Sequence, residues 1–433
     1  MPFQSLGLHP SLVRATQDLK YKEPTPVQAG AIPPALEGRD VIATAQTGTG
    51  KTAGFLLPVL HRLIDQPRIG PRALILSPTR ELADQIAEVC RGLSRHTKVQ
   101  STLVVGGRPM FAQERALRAG PDLIIATPGR LLDHVMRGTV RLDKVSTLVL
   151  DEADTMFDMG FLPDLRRIMA KLPARNNTLF FSATMPQAIA KLAQELLRDP
   201  ASVQIGRRSA TAVGITQAAY PVPAHLKTAL LRHLLGEVEM PSVLVFTRTK
   251  HTAKKIARVL TNDGFSVAEL HSNRTPKQRT RAMDGFRRGE FQVMVATNVA
   301  ARGLDVDHIT HVISTDVPDV PEDYVHRIGR TGRACSTGDA FIFVSREEED
   351  SLSRIERQVG MRLPRVTLPE FDYTAPAPPK QPGDRDDRDE RRRPARAPKP
   401  QAKSKPASAP AAAGQPPQRK RDRRGDRGQG GRR

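Results

Sequence analysis

Two short stretches carry residue types that together can handle a phosphate chain. Ala45 to Thr52 reads AQTGTGKT, and Leu148 to Asp154 reads LVLDEAD. In the first, Gly48 and Gly50 leave the loop without side chains, so backbone N–H groups can close on phosphate oxygens, helped by the positive end of the helix that follows. Ala45, Gln46, Thr47 and Thr49 complete the loop. Lys51 supplies a point charge to the outer phosphates, and Thr52 offers a hydroxyl to the Mg²⁺ that a bound nucleotide carries. The pattern is a glycine short, since Ala45, separated from Gly50 by four residues, stands where such loops have Gly. In the second stretch an apolar run ends in three acids among four residues. Asp151 is suited to hold Mg²⁺, largely through water, and Glu152 to orient a water attacking the γ-phosphate.

Both stretches need strands to carry them, and the chain supplies a series. Apolar strand-like runs at Asp40 to Ala43, Ala73 to Leu76, Gln100 to Val105, Asp122 to Ala126, Thr147 to Leu150 and Thr178 to Phe181 alternate with helical patterns. That predicts an α/β domain with a mostly parallel sheet, whose ligands gather at the strands' carboxyl ends. A second series follows at Ser242 to Phe246, Ser266 to Leu270, Gln292 to Ala296, Thr310 to Ser314 and Ala340 to Val344, without a second phosphate loop. The expected division is a nucleotide-binding domain over 1–206, a linker over 207–212, a second domain over 213–373 and a tail over 374–433.

Composition favours a polyanionic partner. Of 433 residues 39% are hydrophobic, enough for packed domains, yet the formal charge is +21. A balance so basic points to nucleic acid. The tail concentrates it: from Thr374 onward there are 18 Lys and Arg against seven Asp and Glu, with Pro, Ala and Gly between them. Such a segment has too little apolar surface to bury and is expected to be disordered. Cys90 and Cys335 are the only cysteines and suggest neither a disulfide framework nor a zinc site. Without a signal-like start or a run of about 20 apolar residues, a soluble, cytoplasmic chain with no membrane partner is expected.

The acidic box Asp151-Glu152-Ala153-Asp154 resembles the signature of the DEAD-box RNA helicases, and other stretches match that family in order. Phe3, Tyr21 and Glu23 to Gln28 resemble its Q motif. AQTGTGKT, Pro78 to Leu82, Gly106-Gly107, Thr127 to Arg130 and Ser182 to Thr184 follow in the first half. Val245 to Arg248, Gln278 to Arg281, Ala296 to Asp305 and Tyr324 to Arg333 follow in the second. The match spans roughly residues 3 to 345 and is most similar to the bacterial RhlE type. Two positions depart: Lys20 stands where Gly is usual, and Asn298 where Asp is usual.

The resemblance implies two tandem RecA-like domains and an ATP-dependent RNA helicase. Gln28 would read the adenine edge, Tyr21 would pack on the ring and Asp305 would take the ribose. Pro78, Thr79 and Arg80, Gly106 and Gly107, and Thr127, Pro128, Gly129 and Arg130 would follow an RNA backbone. Thr247, Arg248, His271, Ser272 and Thr297 would continue that track. Ser182 and Thr184 would join the ATP side to the RNA side. Arg330 and Arg333 would reach the γ-phosphate from the second domain, with His326 and Arg327 bracing the interface. Backbone contacts position a strand and read no bases, so no sequence preference is expected. The implied partner is structured RNA or a short duplex, with ribosome precursors or RNA-processing complexes as settings and a monomer as the acting species. A complete set of nucleotide residues speaks against a passive RNA chaperone acting through the tail, and the Q motif and DEAD string, which resemble those of proteins that pry locally, speak against a DNA helicase walking along its track.

Overall fold

The structure is a computed structural model, and it describes residues 2–45, 48–64, 66–67, 69–173, 177–205, 214–301, 306, 308–332 and 337–377. Gln46, Thr47, Asp305 and Arg333, together with the expected linker 207–212 and nearly all of the tail, lie outside the described residues.

The first series folds into a seven-stranded parallel sheet of β1 (Val41–Thr44), β2 (Ala73–Leu76), β3 (Ser101–Val104), β4 (Leu123–Ala126), β5 (Thr147–Leu150), β6 (Asn177–Ser182) and β7 (Ala201–Gln204). Their order is β3-β4-β2-β5-β6-β1-β7. β2, β4, β5 and β6 are buried along their whole length, as continuous apolar runs in a sheet covered on both faces must be. Phe55, Leu56, Leu57 and Leu60 of the helix Lys51–Ile64 pack with Val27 and Ile32 over one face. Leu74, Ile124, Leu148, Phe180 and Ile189 form the core of the other. Asp40 ties the sheet's amino edge, its two oxygens accepting from the N–H groups of Thr178 and Arg198, both at 2.7 Å.

The second series gives a six-stranded parallel sheet of β8 (Ile215–Pro221), β9 (Val243–Thr247), β10 (Val267–Leu270), β11 (Val293–Thr297), β12 (His311–Ser314) and β13 (Gly338–Val344). The order is β10-β11-β9-β12-β13-β8. The two sheets are the RecA-like pair that the resemblance implies.

The sequence reading places the strands it names to within a residue or two and overlooks one edge strand of each sheet. β7, with Ser202 and Gln204 exposed, pairs only with β1, and β8 begins Ile-Thr-Gln and ends at a proline. Beyond Leu363 the chain closes on β8: Ala219 N–H donates to Pro364 O at 2.8 Å, and Val366 N–H to Ala219 O at 2.9 Å. Phe371 and Tyr373 stack edge-on, 4.9 Å apart, against the second core. Contacts continue past the expected tail boundary at Thr374, since the His225 ring bonds Ala375 O. No helix among the described residues is long and apolar enough to cross a membrane.

Candidate nucleotide and RNA site

The candidate residues come together because parallel strands release them at one edge. β1 leads into the glycine loop, β2 into Pro78 to Arg80, β4 into Thr127 to Arg130, β5 into Asp151 and Glu152, and β6 ends at Ser182. In the second sheet β9 ends at Thr247 and β11 at Thr297.

The described part of the phosphate loop is held closed by its own side chains. Lys51, buried at the start of its helix, turns its ammonium back onto Ala45 O at 2.8 Å. Gly50 has φ +89°, and a Cβ there would lie 2.5 Å from Gln28 Nε2, so only glycine fits. The Gln28 amide is engaged at both ends. Its oxygen accepts from Thr25 N–H and its nitrogen donates to Gly50 O, each at 3.0 Å, so it ties the helix Pro26–Leu36 to the loop. A base edge competes with these two bonds. Tyr21 is partly buried 6.3 Å from Phe3, where burial raises the phenol's pKa. Lys20, beside it, has φ +59°, a left-handed turn that explains why glycine is usual at this position.

At the end of β5 the acids separate into two roles. Burial drives the Asp151 carboxyl up to about 7, against the pull of Lys51. Asp151 Oδ1 and Glu152 Oε2 are buried without a hydrogen-bond partner, which fits a hydrated Mg²⁺ and an attacking water. No group of three His, Cys, Asp or Glu side chains that could hold a metal occurs among the described residues. Glu152 itself sits at φ +50°, ψ +54°, a conformation that costs a non-glycine residue about 1–2 kcal/mol and turns the backbone sharply out of the strand.

Asp154 is the opposite case. Burial works to raise its pKa, but His326, Lys51 and Thr184 outweigh that and hold the carboxyl well below its ordinary range. One oxygen accepts from Thr155 N–H at 3.0 Å. The other accepts from Ala183 N–H at 3.1 Å, and from Thr184 N–H and Oγ1, each at 2.8 Å. His326 Nε2 of the second domain stands 3.6 Å from that same oxygen. Ser182 Oγ donates to Thr184 O at 2.6 Å, completing the connection between β6 and the acidic box.

A second link between the domains is Arg279 with Glu81. Nε and Nη2 both reach Glu81 Oε1, at 2.8 and 2.7 Å, and Nη2 also reaches Ala300 O at 3.3 Å. The sequence reading quoted both residues inside motif stretches, Pro78 to Leu82 and Gln278 to Arg281, without pairing them. Gln278 closes the capping box with Thr275 at the start of the helix Pro276–Arg287.

The RNA-side expectations fare unevenly. Arg80 lies against Gly106 and Gly107, and with φ +77° a Cβ on Gly107 would sit 2.1 Å from its guanidinium. Arg130 Nη1 donates to Arg108 O at 3.0 Å, and the buried Gln113 holds the same loop through Val105. Thr127 and Pro128 are buried at the start of the helix Pro128–Met136. Arg248 is turned onto its own domain, donating to Val317 O at 2.8 Å with Asp319 and Glu348 within 4 Å. Thr247 is fully buried, and His271 is buried against Glu269 at 2.8 Å, so neither presents a surface to a strand; Ser272 is exposed.

Arg327, expected at the interface, is instead an internal brace: its described bonds run to Asn298 and Asp316 of its own domain. His326 makes the crossing. Arg330 is buried with Nε donating to His326 O at 3.3 Å.

A family profile, the DEAD/DEAH box helicase, matches residues 25–192, and a second, the helicase conserved C-terminal domain, matches 226–335. The chain is 40% identical over 371 residues to the DEAD-box ATP-dependent RNA helicase CshA of Bacillus cereus, covering 86% of this chain and 70% of that one. It is 41% identical to the ATP-dependent RNA helicase DeaD of Escherichia coli, over 85% of this chain and 58% of that one. Among solved structures, S. cerevisiae Dbp5 bound to RNA and ADP BeF3 superposes with a TM-score of 0.77 at 32% identity, over 84% of this chain and 95% of that one. Mss116p bound to ssRNA and AMP-PNP gives 0.77 at 27% identity, over 84% and 78%. With both profiles, the curated relatives and the nucleotide-side geometry in agreement, the chain belongs to the DEAD-box ATP-dependent RNA helicases.

Proposed function

We propose that the protein is an RNA-dependent ATPase that opens short RNA duplexes, or remodels RNA–protein complexes, by closing two RecA-like domains on ATP and an RNA backbone. The observation that carries this reading is Asp154. The same carboxylate oxygen that accepts from Thr184 stands beside His326, so the acidic box, the Ser182–Thr184 turn and the second domain share one atom. Binding that draws the domains together therefore acts on the box that handles the γ-phosphate.

In the proposed cycle Lys51 leaves Ala45 O for the phosphates, and Gln28 exchanges Gly50 O and Thr25 N–H for the adenine edge. Glu152 orients the water, and Arg330 reaches the γ-phosphate from the second domain, a contribution worth roughly 10³ to 10⁵ in rate. Arg333 and Asp305 are assigned their roles by resemblance alone. Mg²⁺, when bound at Asp151 and Thr52, neutralises phosphate charge. RNA lying across Arg80, Arg130 and the exposed Ser272 favours the closed form, which makes stimulation by RNA a population shift with differential contacts behind it. Duplex stacking costs about 1.4 kcal/mol per step in DNA, so ten steps cost on the order of 14 kcal/mol, and one closure manages only short duplexes.

Within the family we place the chain in the RhlE type on its motif strings, acting as a cytoplasmic monomer on structured RNA such as ribosome precursors. Rescue of a strain lacking its RhlE protein, with sequencing of crosslinked RNA, checks that placement. The central test is phosphate release from ATP with and without RNA, alongside displacement of a short RNA strand. Equal rates with and without RNA, and no displacement, would leave only a passive RNA binder.

A further inference from the structure

Arg327 is almost wholly buried, 3% exposed, and its guanidinium is held from three strands. Nη1 donates to Asp316 O at 3.0 Å and Nη2 to Asp316 Oδ1 at 3.2 Å, just beyond β12. Its charge lies over the Phe246 ring of β9, 5.3 Å from the centroid. Nε donates to Asn298 Oδ1 at 3.0 Å, directly after Thr297 closes β11. Arg327 belongs to the helix Pro321–Ile328, which also carries His326, and Arg330 follows one turn on. Asn298, His326, Arg327 and Arg330 line one cavity of about 10 Å³, room for a single water.

We propose that Asn298 is the positioning residue that registers the phosphate-facing helix: by holding Arg327 Nε it sets His326 and Arg330 against the first domain, and so relays strand β11 to the nucleotide. The reasoning is geometric. Asp316 grips the two terminal nitrogens of the guanidinium and leaves rotation about that contact open, and the third bond, on Nε, removes it. Rotation of Arg327 carries the helix that bears His326, whose 3.6 Å approach to Asp154 leaves little tolerance. Asn298 is also the first residue beyond Thr297, which the proposed function places on the RNA side. A strand that moves β11's end therefore moves an acceptor of Arg327.

The amide, where the family usually carries Asp, has a consequence. A buried guanidinium facing one carboxylate instead of two is attracted less strongly, since each added charge at hydrogen-bond distance strengthens the pairing. The register is then held by geometry more than by charge, and Asn298→Asp keeps the acceptor while adding charge.

This inference rests on RNA-stimulated hydrolysis, so wild-type stimulation is measured first; its absence would refute the proposed function and not the role of Asn298. Given stimulation, Asn298→Ala is expected to lower RNA-stimulated kcat about tenfold to a hundredfold, the range carried by a hydrogen bond to a charged donor. KM for RNA, and hydrolysis without RNA, should stay within about twofold, a split that general destabilisation of the domain does not produce. Asn298→Asp should keep kcat at or above wild type. An unchanged kcat for Asn298→Ala, an equal loss with and without RNA, or a loss in Asn298→Asp that matches the alanine variant would each overturn the proposal. Should the alanine variant fail to fold, the aspartate result alone decides.

Discussion

The Glu81–Arg279 pair offers the most direct measure of what holds the domains closed. Each side chain is 16% exposed, and the two contacts of 2.7 and 2.8 Å converge on one carboxylate oxygen. Exposed pairs are worth about 0.2–1 kcal/mol, and breaking a fully buried one costs about 3–5 kcal/mol. At this burial about 1–2 kcal/mol is expected, a factor of roughly 5–30 in the ratio of closed to open forms. Glu81→Gln or Arg279→Gln should therefore raise the RNA concentration giving half-maximal ATPase by that factor, while saturating RNA restores most of kcat. Because the pair acts as one unit, the double variant should be no worse than either single one. The assay is ATPase rate against RNA concentration for all four proteins, with nucleotide-free RNA binding as control. Effects that add to within about 0.3–0.5 kcal/mol would show that the two residues act independently and would refute the latch.

Glu152→Gln keeps the shape and removes the charge, so ATP and RNA binding should persist while turnover falls to background; turnover near wild type would sink the assignment. Lys20→Gly relieves a left-handed lysine and should raise stability by about 0.5–1 kcal/mol, read as a small upward shift of the melting temperature. Asp151 carries a pH dependence with a definite sign. Its carboxyl is raised from 3.8 to about 7, so between those values the unfolded chain ionises where the folded protein does not, and stability falls as pH rises through the window. In EDTA, Asp151→Asn should therefore be more stable than wild type at pH 8 by on the order of a few kcal/mol, read as a higher melting temperature, and the difference should vanish near pH 4. Equal melting temperatures at both pH values would contradict the burial argument.

How far the sequence spoke depended on whether a feature was local. The phosphate loop and the acidic box are legible because their residues are adjacent and their chemistry needs that adjacency. The interior strands are legible because a parallel sheet covered on both faces demands unbroken apolar runs, as in Leu123 to Ala126. β7 escapes notice because its short sequence alternates in burial without an apolar run. Arg279 and Glu81 stand 198 positions apart, and nothing in either neighbourhood marks one for the other. Gln28 was read for its chemistry toward a base, yet the same amide also caps its own helix and holds the loop, a double use that only coordinates reveal. Arg248 and Arg327 are both arginines in matching motifs, and both spend their guanidinium groups inside the second domain.

The two interdomain links share a property that bears on reopening, which a cycling enzyme needs as much as closure. Asp154 is satisfied within the first domain by Thr155, Ala183 and Thr184, so withdrawal of His326 strands no buried acceptor. That contact is cheap to break. Arg279 likewise keeps Ala300 O when Glu81 departs, and Glu81, in the first turn of its helix, is favoured there by the helix dipole and meets water once the domains part. Neither separation leaves an unpaired charge in a dry interior, the circumstance that makes buried pairs costly to open. Closure therefore has to be maintained by what it encloses. In the proposed cycle, once the phosphate assigned to Arg330 and Glu152 is cleaved, the remaining contacts are of a size that thermal motion reverses, and the bound strand would be released.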